Sequence, residues 1–293
     1  TTATSTCEQN IPSLSSVCKK HPDIATSLNN LALLYHSQGR YEEAEPLLTQ
    51  ALEMYQQLLG QRHPDIATSL NNLALLYKSQ GRYEEAKPLF TQALEMRQQL
   101  LGKRHPDVAQ SLNNLAALYD DQGRYEEAEP LLTQALEMSQ QLLGQRHPDV
   151  AQSLNNLAAL YDDQGRYEEA KPLLTQALEM RQQLLGQSHP DVAQSLNNLA
   201  LLYKSQGRYE AAEPLYKQAL EMRQQLLGQR HPDVALNLNN LALLYDAQGC
   251  YEEAEPLYKQ ALAICEQSLG PDHPTTQTVK NNLQMLLEEK DLK

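Results

Sequence analysis

The stretch that decides the fold is Ser27-Leu28-Asn29-Asn30-Leu31-Ala32-Leu33-Leu34-Tyr35, followed by Gln38-Gly39-Arg40-Tyr41-Glu42-Glu43-Ala44. It returns at Ser69, Ser111, Ser153 and Ser195, and with one change at Asn237, always 42 residues on. A His-Pro pair keeps the same count at His21, His63, His105, His147, His189, His231 and His273. Self-similarity at a period between about 20 and 50 residues marks a stacked repeat array, in which each unit contacts only its neighbours. Six full units are therefore expected, at 21–62, 63–104, 105–146, 147–188, 189–230 and 231–272. Residues 273–293 read as the opening helix of a seventh, and 1–20 as an irregular leader or linker.

Within unit 1, Ile24, Leu28, Leu31, Ala32 and Tyr35 fall at i, i+4, i+7, i+8 and i+11, one face of an α-helix. Pro22 suits the first helical position and Asp23 the positive end of the helix dipole. Gly39 supplies the left-handed residue that ends a helix. A second helix opens near Tyr41, with Tyr41, Ala44, Leu48, Ala51, Leu52, Tyr55 and Leu59 on its apolar side, and closes at Gly60. Pro46 recurs at 88, 130, 172, 214 and 256, past the first-turn N–H groups that lack partners anyway, so a bend or a 3₁₀ start is expected there. Ala32 and Ala44 are small enough to let the two helices approach closely. One such hairpin cannot bury both faces alone; stacking buries them. In 273–293, Lys280 and Gln284 occupy the places of Leu28 and Ala32 while Leu283, Leu286 and Leu287 remain, the pattern of a C-terminal capping helix. The expected fold is all-α: a solenoid of antiparallel helix hairpins, six full repeats and a cap.

The formal charge of −13 argues against nucleic acid, whose phosphates call for clustered Lys and Arg. Units 2 and 5 are mildly basic, and units 3, 4 and 6 acidic. No apolar run approaches a membrane span. Four cysteines do not make a disulfide framework: Cys250 and Cys265 would sit at opposite ends of one helix, and only a pairing of Cys7 with Cys18 in the leader stays open. The chain is expected in the cytoplasm.

Catalytic and metal chemistry find no support. Seven of the eight histidines are the His of His-Pro, each a whole repeat from the next and without a second ligand at i+4, so they read as helix-start residues. Asp120-Asp121 and Asp162-Asp163 lack the spacing of a calcium loop. The twelve glycines all stand at helix ends, leaving none for a phosphate loop. No enzyme, metal or cofactor is expected.

The alternation Leu28-x-x-Leu31-Ala32-x-x-Tyr35, Gly39-x-Tyr41-x-x-Ala44 and Leu48-x-x-Ala51 resembles the tetratricopeptide repeat (TPR). With the 42-residue spacing, His-Pro-Asp-x-Ala, Leu-Asn-Asn-Leu-Ala and Glu-Ala-Glu-Pro-Leu, it is similar to the kinesin light chain type of TPR over 21–293. The resemblance implies a right-handed superhelix whose concave groove, lined by first helices, binds extended peptides. The coiled coil by which kinesin light chains pair with the motor has no counterpart in 1–20, so the motor-adaptor role is not carried over. Bacterial proteins also use this repeat type as sensing or recruiting modules.

A second stripe on the first helix is Thr26, Asn30, Leu33 and Ser37, flanked by Asn29 and His36, and it resembles the stripe that lines the TPR groove. Its Asn is constant at Asn30, Asn72, Asn114, Asn156, Asn198 and Asn240. A carboxamide offers a donor and an acceptor to a peptide backbone, though Asn side chains bonding one another would equally hold register. Units 3 and 4 carry Ala117 and Ala159 where others have Leu, together with Asp120, Asp121, Asp162 and Asp163. An acidic pocket for a Lys- or Arg-containing peptide or protein segment is expected there, rimmed by Lys78 and Lys204. Variation on one stripe is what a binding face shows, and also what drift at exposed positions produces. The second helix varies too, at Tyr55, Arg97, Ser139, Arg181, Arg223 and Cys265, which keeps open an architectural, self-associating or spacer role.

Overall fold

The computed structural model describes residues 21–291, so the expectations for residues 1–20, Cys7 and Cys18 among them, lie outside the described residues. Thirteen helices, and no strand, fill the described residues. First helices of the repeats are α1 (Pro22–Ser37), α3 (Pro64–Ser79), α5 (Pro106–Asp121), α7 (Pro148–Asp163), α9 (Pro190–Ser205) and α11 (Pro232–Ala247). Second helices are α2 (Tyr41–Leu59), α4 (Tyr83–Leu101), α6 (Tyr125–Leu143), α8 (Tyr167–Leu185), α10 (Tyr209–Leu227) and α12 (Tyr251–Ser268). The last helix is α13 (Pro274–Asp291).

Each first helix begins the same way. His147 is the N-cap of α7, and its Nδ1 accepts the Asp149 N–H at 3.2 Å, satisfying one of the orphan donors of the first turn. The six other His-Pro histidines do the same for their helices, His273 taking the Thr275 N–H. The helices end with equal regularity. At the end of α7 the Gly165 N–H donates to the Asp162 carbonyl and the Arg166 N–H to the Tyr161 carbonyl, with Gly165 at φ +69°. That is a Schellman closure, and it needs a residue without a Cβ at the glycine.

Pro46 differs from expectation. α2 runs as one α-helix from Tyr41 through Leu59, with no 3₁₀ start. The proline removes a bond to the Glu42 carbonyl, and Glu42 lies in the exposed first turn, where water can satisfy that oxygen.

The chain divides inside α4 into two compact units, one ending at Met96 and the other beginning at Arg97. In the first, Ile66, Ala67 and Leu70 of α3 pack between Ala51 and Tyr55 of α2 and Ala93 and Met96 of α4. Leu31 and Leu34 of α1 remain 40 % and 52 % exposed, whereas their counterparts Leu73 and Leu76 of α3 fall to 6 % and 0 %. Leu31 thus leaves the inward set in α1, because no described helix stacks on its outer side.

In the second unit the core alternates between two clusters per repeat. Val150, Ala151 and Leu154 of α7 meet Ala177 and Met180 of α8. Ala158 of α7, Ala170 and Leu174 of α8, and Leu199 and Leu202 of α9 form the next. Ala158 and Ala170 are fully buried, as the close approach of the two helices requires. α13 buries Val279, Leu283 and Leu286 while Lys280 and Gln284 are exposed; Leu287, expected on the packed side, is 37 % exposed.

Polar ties reinforce the stack. The Arg166 guanidinium lies 4.0 Å from the Tyr161 ring centroid and donates to Glu169 and to Glu129 of the preceding repeat, which also accepts the Tyr161 hydroxyl. Arg166 and Tyr161 hold Glu129 below the usual carboxylate range.

The variable position of the second helices is buried, contrary to a surface role. Arg181 is 4 % exposed and Arg223 5 %. Arg181 donates to the Asp191 carbonyl (3.1 Å), Ser195 Oγ (3.0 Å) and Gln152 Oε1 (2.8 Å). Arg223 repeats this with the Asp233 carbonyl, Asn237 and Gln194. Variation at this position therefore describes how neighbouring repeats are fastened.

Candidate functional site

On α7, Asn155, Ala158, Ala159, Asp162 and Asp163 recur at intervals of three and four, so they share one flank of the helix. With Leu174 of α8 and Asn198 and Leu201 of α9 they line a cavity of ≈ 170 Å³ inside the second unit. Ala159 opens the space: its counterpart in α9 is Leu201, on the facing wall.

The polar groups of this cavity are under-satisfied by the protein. Asp162 Oδ2 accepts the Ser205 hydroxyl at 3.4 Å, a long bond, while Asp162 Oδ1 is buried with no protein partner. Both amide atoms of Asn155 are likewise buried without one. Burial pushes the Asp162 carboxyl up from its ordinary value; the Ser205 hydroxyl opposes the shift and the charge of Asp163 adds to it. Asp163 is raised too, by burial and then by the charge of Asp121. Burial, and then the charge of Asp162, also raise the Tyr216 phenol of α10, whose buried hydroxyl has no protein partner. Asp162 is half-buried while Asp163 and Asp121 are exposed, and carboxylates raised in this way are relieved by a cation or a proton.

The other sequence-derived residues take definite places. Asn30 is exposed on α1 and Asn72 half-buried on α3, in the first unit with Lys78 at the end of α3. Asn114 and Ala117 are half-buried on α5, beside Asp120 and Asp121. The constant Asn takes part in the stack. Asn240 Nδ2 donates to Asn197 Oδ1 (3.0 Å), and Asn282 to Asn239 (2.9 Å), linking neighbouring first helices. Asn114, Asn156 and Asn198 accept from Gln110, Gln152 and Gln194 one turn earlier. Lys204 does not line the cavity: burial lowers its ammonium, and Asp246 of α11 partly offsets this.

Sequence reasoning reaches Asn155 only through its counterpart Asn29, as a flank of the stripe, and does not assign it to the acidic pocket. It stands seven before Asp162, two helical turns, and that spacing was the available signal. Among the described residues no group of three or more His, Cys, Asp or Glu could hold a metal ion, and no helix is long and apolar enough to cross a membrane. Cys250 and Cys265 are free thiols, and burial raises the second.

A profile of the tetratricopeptide repeat matches the chain in overlapping spans at residues 23–99, 65–141, 107–183, 149–225, 191–267 and 233–291. Comparison with curated proteins finds no match. Among solved structures, BtubC (BKLC) of P. vanneervenii is 27 % identical with a TM-score of 0.58, over 86 % of this chain and 93 % of that one. A kinesin light chain protein of nearly identical TPR-like repeats from Podospora anserina is 30 % identical with a TM-score of 0.56, over 71 % of this chain and 99 % of its own. A Rap protein complexed with competence and sporulation factor shares the fold at 16 % identity and a TM-score of 0.61, over 89 % and 74 % of the two chains. The 42-residue hairpins, their caps and these matches agree: the chain belongs to the tetratricopeptide repeat family, and its structural neighbours include kinesin light chain-like repeat proteins.

Proposed function

We propose that this chain is a protein-interaction scaffold that binds an extended peptide or partner segment along the face of its first helices, with a preference for Lys or Arg at the repeats of α5, α7 and α9. Tetratricopeptide repeats support the scaffold role. The observation that carries the basic preference is the cavity between α7 and α9, where Asp162 and Asp163 are held above their ordinary values and Asp162 Oδ1 and the Asn155 amide have no protein partner. A partner ammonium or guanidinium would supply the missing donor and relieve the mutual repulsion, while Asn155 and Asn198 would meet the peptide backbone. Exposed ion pairs contribute only about 0.2–1 kcal/mol each, so affinity is modest and falls with salt.

Fluorescence polarisation with labelled peptides graded from acidic to basic, at low and moderate salt, tests this. The expected result is saturable binding of basic peptides that weakens with salt and is markedly weakened in Asp121→Asn/Asp163→Asn. Binding that tightened with salt, or the absence of saturable binding with the helices intact, would refute it and favour an architectural role.

A further inference from the structure

The buried position of the second helices poses a chemical question in each repeat, and the repeats answer it differently. In α8 and α10 an arginine reaches up and its guanidinium is held by the next helix start and by a Gln of its own repeat. In α2 the position is Tyr55, whose ring fills the space and whose hydroxyl meets Thr26 Oγ1 at 2.7 Å. In α12 it is Cys265, fully buried, and the acceptor serine of the next helix has become Val279, so an apolar pair closes the junction. In α6 the arginine has gone and its acceptors remain, as they do at the α2 junction, where Ser69 Oγ is buried without a protein partner; but in α6 no ring takes the arginine's space.

Ser139 of α6 turns its hydroxyl back to the Ala135 carbonyl at 2.9 Å and reaches nothing above. Over it lies a cavity of ≈ 50 Å³ whose polar lining is Gln110, Asn113, Ser139, Asp149, Gln152 and Ser153. Gln110, Asp149 and Ser153 are the counterparts of Gln152, Asp191 and Ser195, the three residues that hold Arg181. Gln110 is already turned for the task. Its Nε2 donates to Asn114 Oδ1 at 2.9 Å, as Gln152 donates to Asn156 and Gln194 to Asn198, and in those two repeats the other amide atom accepts the arginine. Asn113, 9 % exposed, lines the same cavity with a buried Oδ1 that has no protein partner.

We infer that this cavity is a guanidinium-binding slot, built on the plan of the Arg181 site and open to an arginine side chain of a partner protein. Its mouth is rimmed by exposed Gln110, Asp149 and Gln152, so the head enters from outside where Arg181 enters from its own helix. The volume is several times the ~10–15 Å³ that one water needs, enough for a planar head of four heavy atoms. At the Arg181 site Nη1 serves the Asp191 carbonyl and Ser195 while Nη2 serves Gln152, a division between two nitrogens that the planar fork of arginine provides and the single nitrogen of a lysine ammonium does not. The slot is independent of the carboxylate cavity: no residue lines both.

The test uses labelled peptides identical except for one central residue, Arg, Lys or citrulline, against the full chain by fluorescence polarisation. The expected result is Arg bound about tenfold more tightly than Lys. Ser139→Arg, which fills the slot from within, should abolish that preference and leave the thermal midpoint unchanged or higher. Gln110→Leu, at an exposed position, should weaken the preference even if Ser139→Arg folds poorly. Asp121→Asn/Asp163→Asn should keep the Arg-over-Lys ratio while losing overall affinity for basic peptides, which separates a failure of the slot from a failure of the acidic cavity. Equal binding of Arg and Lys by the unmodified chain, or a preference that survives both Ser139→Arg and Gln110→Leu, would overturn the inference and leave a water-filled gap.

Discussion

Replacing Arg181 by Ser would recreate at the α7–α8–α9 junction the side-chain arrangement found around Ser139. The guanidinium makes three hydrogen bonds, and the three stranded acceptors differ in their access to water. Gln152 is exposed and rehydrates, and the Asp191 carbonyl lies at an exposed helix start, but Ser195 is 0 % exposed. A stranded buried polar group costs about 1–3 kcal/mol. The aliphatic stem adds about 0.8 kcal/mol per buried methylene, and release of the guanidinium from a site where burial lowers its ionisation gives part of this back. The net expectation is a loss of about 2–4 kcal/mol. Because repeats couple only to neighbours, the loss should appear as faster amide exchange in α7, α8 and α9 before it appears elsewhere. Urea denaturation with hydrogen exchange measures both. The α12 junction supplies the control: Arg181→Ser/Ser195→Val, which also removes the stranded hydroxyl, should recover part of the loss. A single-mutant cost under about 0.5 kcal/mol, or no recovery in the double mutant, would refute the view that these arginines fasten the repeats.

Burial raises the Asp162 carboxyl in the folded chain, so the folded state holds that proton more tightly than the unfolded one. The charged group therefore costs stability at neutral pH, and the cost fades as pH falls through the raised value towards the unfolded value of about 3.9. Asp162→Asn should raise the urea midpoint at pH 7, by an amount that shrinks to nothing in acid; a gain that grew in acid would contradict the assignment. Gly165→Ala places a Cβ that meets no atom within 4 Å but must adopt φ +69°, so its cost of about 1–2 kcal/mol is backbone strain alone; chemical denaturation reads it. His189→Ala removes the cap of α9 at about 0.5–2 kcal/mol, and His189→Asn, which keeps an acceptor, should restore most of it on thermal melting.

Much of this architecture is written in the period of the chain. The 42-residue return, the His-Pro start and the Gly-x-Tyr turn each have a local physical meaning, and the helices begin and end where those signals place them. What could not be read locally depends on neighbours. Asn155 and Asn156 are adjacent and chemically identical, yet a 100° step around α7 sends one into the cavity wall and leaves the other to accept from Gln152. Leu76 is 0 % exposed and its copy Leu34 is 52 % exposed, although their helices match at every position but one. A charged residue such as Arg181 reads as surface until the next helix start is placed above it.

α7 and α9 differ at three positions alone, Ala159/Leu201, Asp162/Lys204 and Asp163/Ser205, and none of the six is fully buried. Between these two first helices the interior is thus a repeated form and the outward flank its variable text. Excision of 147–188 would join Arg146 to His189, restore the same cap, and present to α6 the same Val-Ala-Gln-Ser-Leu sequence it meets now. Copy number is therefore a quantity this protein can change in whole steps. A gain or loss of one hairpin rewrites the order of acidic and basic letters that a partner reads, and asks nothing new of the grammar beneath.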